Sequence, residues 1–282
     1  MSAPIAWRLA PMLCHRDPQT GESCSSVHRL WQYLRIMGLA STPALHFDFY
    51  RDALAAVAGD AKSLRVLVSG AADYGMLVCV VAACRRSGVE PEVTVADLCK
   101  TPLMLNQWYA ERVSCRIKTV CSDLADFSDA RHFDAICTHS FFSELPTERR
   151  KKVIENWRRL LRPGGVAITA NRIRPSSGSE AVGFTREQAQ EFRATVLRYA
   201  ESMRTTLEMD PFELAQEAER YAGHRKAFPL RSREEILGLF EGVGFRVDQL
   251  SLKSPKAGAR PAVSGPTTPG AAEYAYIVAR RS

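Results

Sequence analysis

Apolar residues recur along the chain in two rhythms, and the change from one to the other marks the architecture. Leu30, Trp31, Leu34 and Met37 follow one another at spacings of one, three and three, the stripe of an amphipathic helix over residues 26–39. Leu45, Phe49, Leu54 and Val57 repeat along a second helix over residues 43–58, with Pro43 suited to its first turn and Gly59 and Asp60 closing it. The residues before about Ser25 carry Pro, Gly and Ser and read as an irregular leader.

From Leu64 the rhythm shortens. A β-branched run over residues 65–69 ends at Gly70 and is followed by an apolar helix over residues 74–87. The pattern recurs as strand 92–96, helix 101–113 and strands 116–120 and 134–138, and this alternation specifies a parallel sheet covered by helices. A helix capped by Thr147, with Glu148 at its positive end, runs to Leu161 and stops at Arg162-Pro163-Gly164-Gly165 before strand 166–169. Residues from about 176 to 230 are helical in period and polar on one side, the pattern of an insertion riding over the sheet. A helix capped by Ser232 then leads to strand 245–252 and a last strand, 273–279. Between these strands Pro255, Gly258, Pro261, Gly265, Pro266, Pro269 and Gly270 predict a mobile loop. The expected division is a helical cap at 1–61 and a Rossmann-like domain at 62–282 that contains the insertion.

Composition narrows the class. With 282 residues, 46% hydrophobic and 24% charged, neither a small disulfide scaffold nor a disordered chain fits. The net charge of +7 is compatible with an anionic ligand or nucleic acid and compels neither. Eight cysteines without a CxxC pair read as reduced thiols. The irregular spacing of Cys14, Cys24 and His28, and the isolation of Cys137 and His139 on one strand, predict no metal site. No secretory pattern and no apolar run of about 18 residues occurs, so a cytoplasmic location is expected and a membrane is not.

Candidate chemistry lies where strands end, because ligands of open parallel sheets bind beyond the carboxyl ends. The turn Gly70-Ala71-Ala72-Asp73-Tyr74-Gly75 comes first, with small residues that let a ligand approach backbone N–H groups. It is not GxGxxG, since Ala72 replaces the middle Gly, and Met76-Leu77 excludes a P-loop. Asp97, 27 residues beyond Gly70, either accepts from ribose hydroxyls or caps the next helix. Asp123, beside Leu124 and Phe127, either accepts from an adenine amino group or is a turn aspartate.

Together these words resemble the class I S-adenosylmethionine-dependent methyltransferases over about residues 64–170, with a weaker continuation through the final strands. The matching residues are Val66 to Gly70, Val95 to Asp97, Ser122 and Asp123, Phe133 to His139, and Leu160 to Val166. The resemblance implies a Rossmann-like α/β fold, S-adenosyl-L-methionine as cofactor, and a cofactor site of Gly70, Ala71, Asp73, Gly75, Asp97, Leu98, Asp123, Leu124 and Thr138. By it, the Gly70 turn faces the cofactor's amino-acid end, Asp97 its ribose and Asp123 its adenine. Many members carry an acid two residues before the first Gly; here that position is Val68, and Asp73 is the candidate replacement.

Methyl transfer needs alignment more than catalytic groups. His139, at the end of the fourth strand, is the expected general base, its alternative being a structural histidine. Tyr50 and His46 on one helical face, Tyr221 and His224 in the insertion, and Phe142 are the expected substrate contacts, each with a structural alternative. The leading function is methylation of a small-molecule acceptor, one reading of which is specialised metabolism, with a homodimer left open. Nucleic-acid methylation is the second, suggested by Arg149, Arg150, Lys151 and Lys152, a run more typical of a solvated helix face. A cofactor-binding partner protein without turnover and a nicotinamide-dependent oxidoreductase complete the set.

Overall fold

The computed structural model describes residues 2–18, 20–174, 181–253 and 273–282. The predicted loop from Pro255 to Gly270 and the first residues of the predicted insertion, 176–180, lie outside them. Strands β1 (Ser63–Ser69), β2 (Glu90–Asp97), β3 (Ile117–Cys121), β4 (Phe133–His139) and β5 (Leu161–Ile173) share one sheet with the later β8 (Phe245–Lys253) and β9 (Glu273–Arg281). Among the described residues its order is β3-β2-β1-β4-β5-β9-β8. The first five strands pair in parallel, and β9 runs antiparallel to both β5 and β8. Because β1 lies between β2 and β4, the connections leave it in opposite directions, which opens a crevice at the carboxyl ends of these strands.

Side-chain alternation divides the core. Val66, Val68, Val93, Val95, Ala135 and Cys137 face α3 (Phe47–Ala58), α4 (Gly75–Arg86) and α5 (Lys100–Arg112). Leu67, Ala96, Ile136 and Ala167 face α6 (Thr147–Leu160) and α10 (Arg233–Glu241), where Trp157 and Phe240 are buried. The Trp157 indole N–H finds a partner in Ser69 Oγ at 2.9 Å, satisfying its one donor inside the core.

A third apolar cluster stands apart from the sheet and holds together a helical cap, while α3 packs on the sheet. The cluster joins α1 (Ala3–Leu13) and α2 (Ser25–Ile36) to the insertion, whose helices are α7 (Arg186–Ser202), α8 (Arg204–Leu207) and α9 (Pro211–His224). Leu30, Tyr33 and Leu34 of α2 pack here with Phe192 and Val196 of α7 and Leu214 and Ala218 of α9. The insertion also carries a two-stranded ribbon, β6 (Val182–Gly183) with β7 (Lys226–Ala227).

Three local expectations change. The leader is helical as α1: Pro4 sits in its first turn, and Ala3, Ala6 and Ala10 form a fully buried stripe of small side chains. Thr147 is the first residue of α6 rather than its cap, since Pro146 holds the cap position and no side-chain cap bond forms. The fifth strand reaches Ile173, four residues past the predicted end, because β9 pairs with it along its whole upper length. That extension carries Arg172 to the carboxyl edge.

Candidate functional site

Gly70 ends β1 at φ +74, a left-handed conformation that favours glycine. A Cβ there would lie 2.6 Å from two ring carbons of Phe141, so the residue also leaves room for that ring. Ala71 N–H donates to Asp97 Oδ2 at 2.8 Å, and Cys99 N–H donates to Oδ1 at 2.7 Å. Asp97 thereby ties the loop after β1 to the loop after β2 while each oxygen keeps a further lone pair. Burial raises this carboxyl to about 6, against the two N–H donors that favour its charge. Leu98, the next residue, is one of the few large apolar side chains on the surface.

Asp73 is buried, and its neighbours come from the cap. Its Oδ1 accepts from Gly75 N–H at 2.6 Å, and its Oδ2 accepts from Gln32 Nε2 at 3.2 Å and forms an ion pair with Arg35. Both partners lie on α2, so this aspartate clamps the cap to the glycine turn. Asn106 of α5 donates to the Asp73 carbonyl at 3.2 Å.

Asp123 accepts from Ala125 N–H at 3.0 Å and pairs with Arg149 of α6. Leu124 is buried in the core on the α6 side, and its carbonyl accepts from Asn156 at 2.8 Å. Thr138 is buried near the end of β4. Its carbonyl accepts from Tyr50 Oη at 2.7 Å, and its Oγ1 has no hydrogen-bond partner. Tyr50 Oη also accepts from Ala170 N–H at 3.1 Å, so this fully buried side chain staples β4 to β5.

His139 ends β4, followed by Ser140 at φ +49, a strained backbone for a residue other than glycine. The imidazole of His46 lies tilted beside it with ring centroids 5.0 Å apart, and Tyr274 lies 4.4 Å from His46, also tilted, and 6.2 Å from His139, nearly parallel to it. His46 Nδ1 is 2.9 Å from Tyr276 Oη, and its Nε2 is buried without a partner. Burial lowers His46 to about 4, and burial reinforced by His46 holds His139 well below the usual imidazole range. Both rings are therefore neutral at physiological pH.

Phe142 is fully buried against Trp157 and Phe240, in the core on the α6 side. Tyr221 is buried inside the cap, and His224 is exposed with Nδ1 2.8 Å from the Arg220 carbonyl. The structure thus groups His46, Tyr50 and His139 with the strand ends, and sets Phe142, Tyr221 and His224 elsewhere.

Tyr274, Tyr276 and Arg172 complete the cluster, and sequence reasoning missed them. Antiparallel register opposes Arg172 to Tyr274, and alternation along β4 and β5 puts His139 and Arg172 on the same sheet face. The signal was present in the paired final strands, but only register converts it into a position.

Residues 75–165 match the family model of a methyltransferase domain. The chain is similar to methyltransferases over that segment. Its fold is also that of magnesium protoporphyrin IX methyltransferase from Synechocystis PCC 6803 with bound S-adenosylhomocysteine, at 15% identity over 89% of this chain and 93% of that chain, TM-score 0.51. A S-adenosylmethionine-dependent methyltransferase from Clostridium acetobutylicum ATCC 824 shares it at 10% identity over 83% and 91%, TM-score 0.51. No curated protein matches the chain in sequence. The methyltransferase family uses S-adenosylmethionine, and the residues at the crevice suit it: Asp97 retains lone pairs for hydroxyls, and Leu98 offers an exposed apolar side chain. Among the described residues no helix is long and apolar enough to cross a membrane.

Proposed function

We propose that this methyltransferase methylates a small-molecule acceptor that carries a negative charge. The observation behind this reading is the cap, whose two chain segments share one apolar cluster and touch both sides of the crevice. On one side Gln32 and Arg35 of α2 hold Asp73; on the other Arg225, at the end of α9, pairs with Glu144 in the loop after His139. A site enclosed in this way suits a small ligand.

The charge follows from Arg172, Arg174 and Arg225, whose guanidinium groups lie close enough to repel one another; Arg225 pairs with Glu144. Burial, with repulsion from Arg172 and Arg225, brings the Arg174 guanidinium down to about 10. Arg172 Nε is buried without a hydrogen-bond partner. An anionic group on the acceptor would pair with this buried guanidinium.

When bound, S-adenosylmethionine supplies an electrophilic methyl group for in-line displacement. Asp97 would accept from the ribose hydroxyls, Leu98 would cover the base, and the glycine turn would face the amino-acid end. His139, neutral at physiological pH, accepts the acceptor's proton, and the cap excludes water. Nucleic acid is a poorer fit, because Arg149 pairs with Asp123 and Arg150 is buried against Glu235 and the Phe142 carbonyl. Only Lys151 and Lys152 of that run are left on the exposed face.

Calorimetric titration with S-adenosylhomocysteine tests the cofactor half, with Asp97→Ala and NAD as controls. Saturable binding that Asp97→Ala abolishes is expected, and no binding by the folded, cofactor-free protein overturns the reading. The acceptor half is tested by paired carboxylic acids and their methyl esters, assayed for S-adenosylhomocysteine release. Acids are expected to turn over and to lose the advantage in Arg172→Met; equal rates with the esters refute the charge assignment.

A further inference from the structure

We propose that Cys14, Cys24, His28 and Cys99 form a structural zinc site that pins the amino-terminal helices to the loop carrying Asp97. Their four donor atoms lie within 4.8 Å of one another. Cys24 Sγ is 3.7 Å from Cys99 Sγ, and His28 Nδ1 is 3.5 Å from Cys99 Sγ and 3.2 Å from Cys14 Sγ. Tetrahedral zinc, with bonds of about 2.3 Å to sulfur and about 2.0 Å to nitrogen, needs sulfur–sulfur edges of about 3.8 Å and sulfur–nitrogen edges of about 3.5 Å. The Cys24–Cys99 and His28–Cys99 edges have those lengths, and the Cys14–His28 edge, at 3.2 Å, is a few tenths of an ångström short of them. A disulfide, at about 2.05 Å, does not fit a 3.7 Å separation.

The donors come from chain segments built to meet. Cys14 follows α1, Cys24 immediately precedes α2, His28 lies in the first turn of α2, and Cys99 immediately precedes α5. Between Cys14 and Cys24 the chain doubles back: Arg16 and Ser23 form an antiparallel bridge, Asp17 N–H donates to the Glu22 carbonyl at 2.8 Å, and Gly21 turns at φ +70. This hairpin brings the two cysteines together. Topology then supplies Cys99 from the carboxyl end of β2.

Burial argues that the cluster is more than packed thiols. Cys79, Cys84, Cys115 and Cys137 belong to the apolar core beneath α4, where a thiol serves as a small hydrophobe. Cys99 is equally buried but belongs to none of the three apolar clusters, and it shares its site with a buried imidazole. Thiols are weak hydrogen-bond partners for that ring, whereas three thiolates and one neutral imidazole are the donor set of a closed zinc site. Thr101 Oγ1, 3.1 Å from Cys14 Sγ, is placed to donate to a metal-bound thiolate. Binding exchanges the thiol protons for the metal, with no redox step.

The expected result is about one zinc per chain by elemental analysis of the full-length protein, as one closed site requires. Cys24→Ser and Cys99→Ser should lose it, and Cys121→Ser, at an exposed cysteine, should keep it. If the serine variants do not fold, wild-type protein reconstituted with cobalt decides, through the visible bands of tetrahedral thiolate coordination. His28→Cys should retain metal because it restores four donors. Wild-type protein that holds neither zinc nor cobalt, with all thiols freely alkylated in the presence of zinc, overturns the proposal. The consequence for the crevice rests on the proposed function: Cys99 N–H orients Asp97, so chelation should weaken S-adenosylhomocysteine binding. Metal content is read without cofactor, so zinc-loaded protein that binds no S-adenosylhomocysteine counts against the function and leaves the metal site standing.

Discussion

Gly70→Ala probes the most crowded point of the crevice, and its effect divides into two parts that can be measured separately. A side chain at φ +74 incurs about 1–2 kcal/mol of left-handed backbone strain. The new Cβ would also sit 2.6 Å from the Phe141 ring, where carbon atoms prefer about 3.5–4.0 Å. The ring must retreat by about an ångström, and overpacking of this kind typically destabilises by about 1–3 kcal/mol. The variant should therefore lose about 3 kcal/mol in all.

Phe141→Ala removes the obstruction but forfeits the packing of a partly buried ring, about 2–3 kcal/mol, somewhat less than for a fully buried one. In the double variant only backbone strain and lost packing remain, so the two substitutions should couple by about 1–3 kcal/mol. Urea unfolding followed by circular dichroism gives all four corners of the cycle. Phe141 lies two residues beyond His139, and Ser140 between them is strained, so Gly70→Ala should also weaken S-adenosylhomocysteine binding, with recovery in the double variant. Additivity within about 0.5 kcal/mol would refute the claim that this ring is why position 70 is glycine.

Two further outcomes follow from buried polar groups. His46 is held at about 4 against 6.5 in an unfolded chain, so below 6.5 the unfolded state takes up a proton that the folded state refuses. Stability is full above about 6.5 and falls towards pH 4 by up to about 3 kcal/mol. His139, facing His46 together with Tyr274 and Tyr276, shifts in the same direction and adds to the same window; a difference in urea midpoint between wild type and His46→Gln that stays flat from pH 7 to 4.5 contradicts this. Asp73→Ala leaves Gly75 N–H, Gln32 and Arg35 without their shared acceptor and should lower the unfolding free energy by about 3 kcal/mol, softened by the partial exposure of Arg35; a loss below about 0.5 kcal/mol in urea would show that the clamp is idle.

The sheet was legible because its signals are local. Each of the strands before α6 ends in a turn residue or a carboxylate within a few positions of its predicted end, and the alternation of Val66, Leu67 and Val68 already states which face each side chain takes. The helix α1 was not legible, since an Ala stripe gives little hydrophobic contrast and two prolines read as breakers. The place of Phe142 was equally hidden: its position after His139 suggests the crevice, yet the turn at Ser140 sends it under the opposite face. Arg172 and Tyr274 depend on antiparallel register between strands a hundred residues apart in sequence. The Cys14, Cys24, His28 and Cys99 cluster depends on topology alone, which is why irregular spacing predicted no metal there.

The three apolar clusters also bear on how the crevice keeps its shape. Two of them grip the sheet from opposite faces, and the third lies inside the cap, so apolar packing alone leaves the cap weakly registered on the strand ends. Directional contacts supply that register. Asp73 fixes α2 to the glycine turn, Arg225 fixes the end of α9 to Glu144, and the cysteine cluster fixes both amino-terminal helices to the loop that orients Asp97. Each fastening ends within a few residues of a group assigned to cofactor or acceptor. Closure of the cap and alignment of the reacting groups are therefore set by the same contacts, and loosening any one of them should weaken ligand binding before it unfolds the sheet.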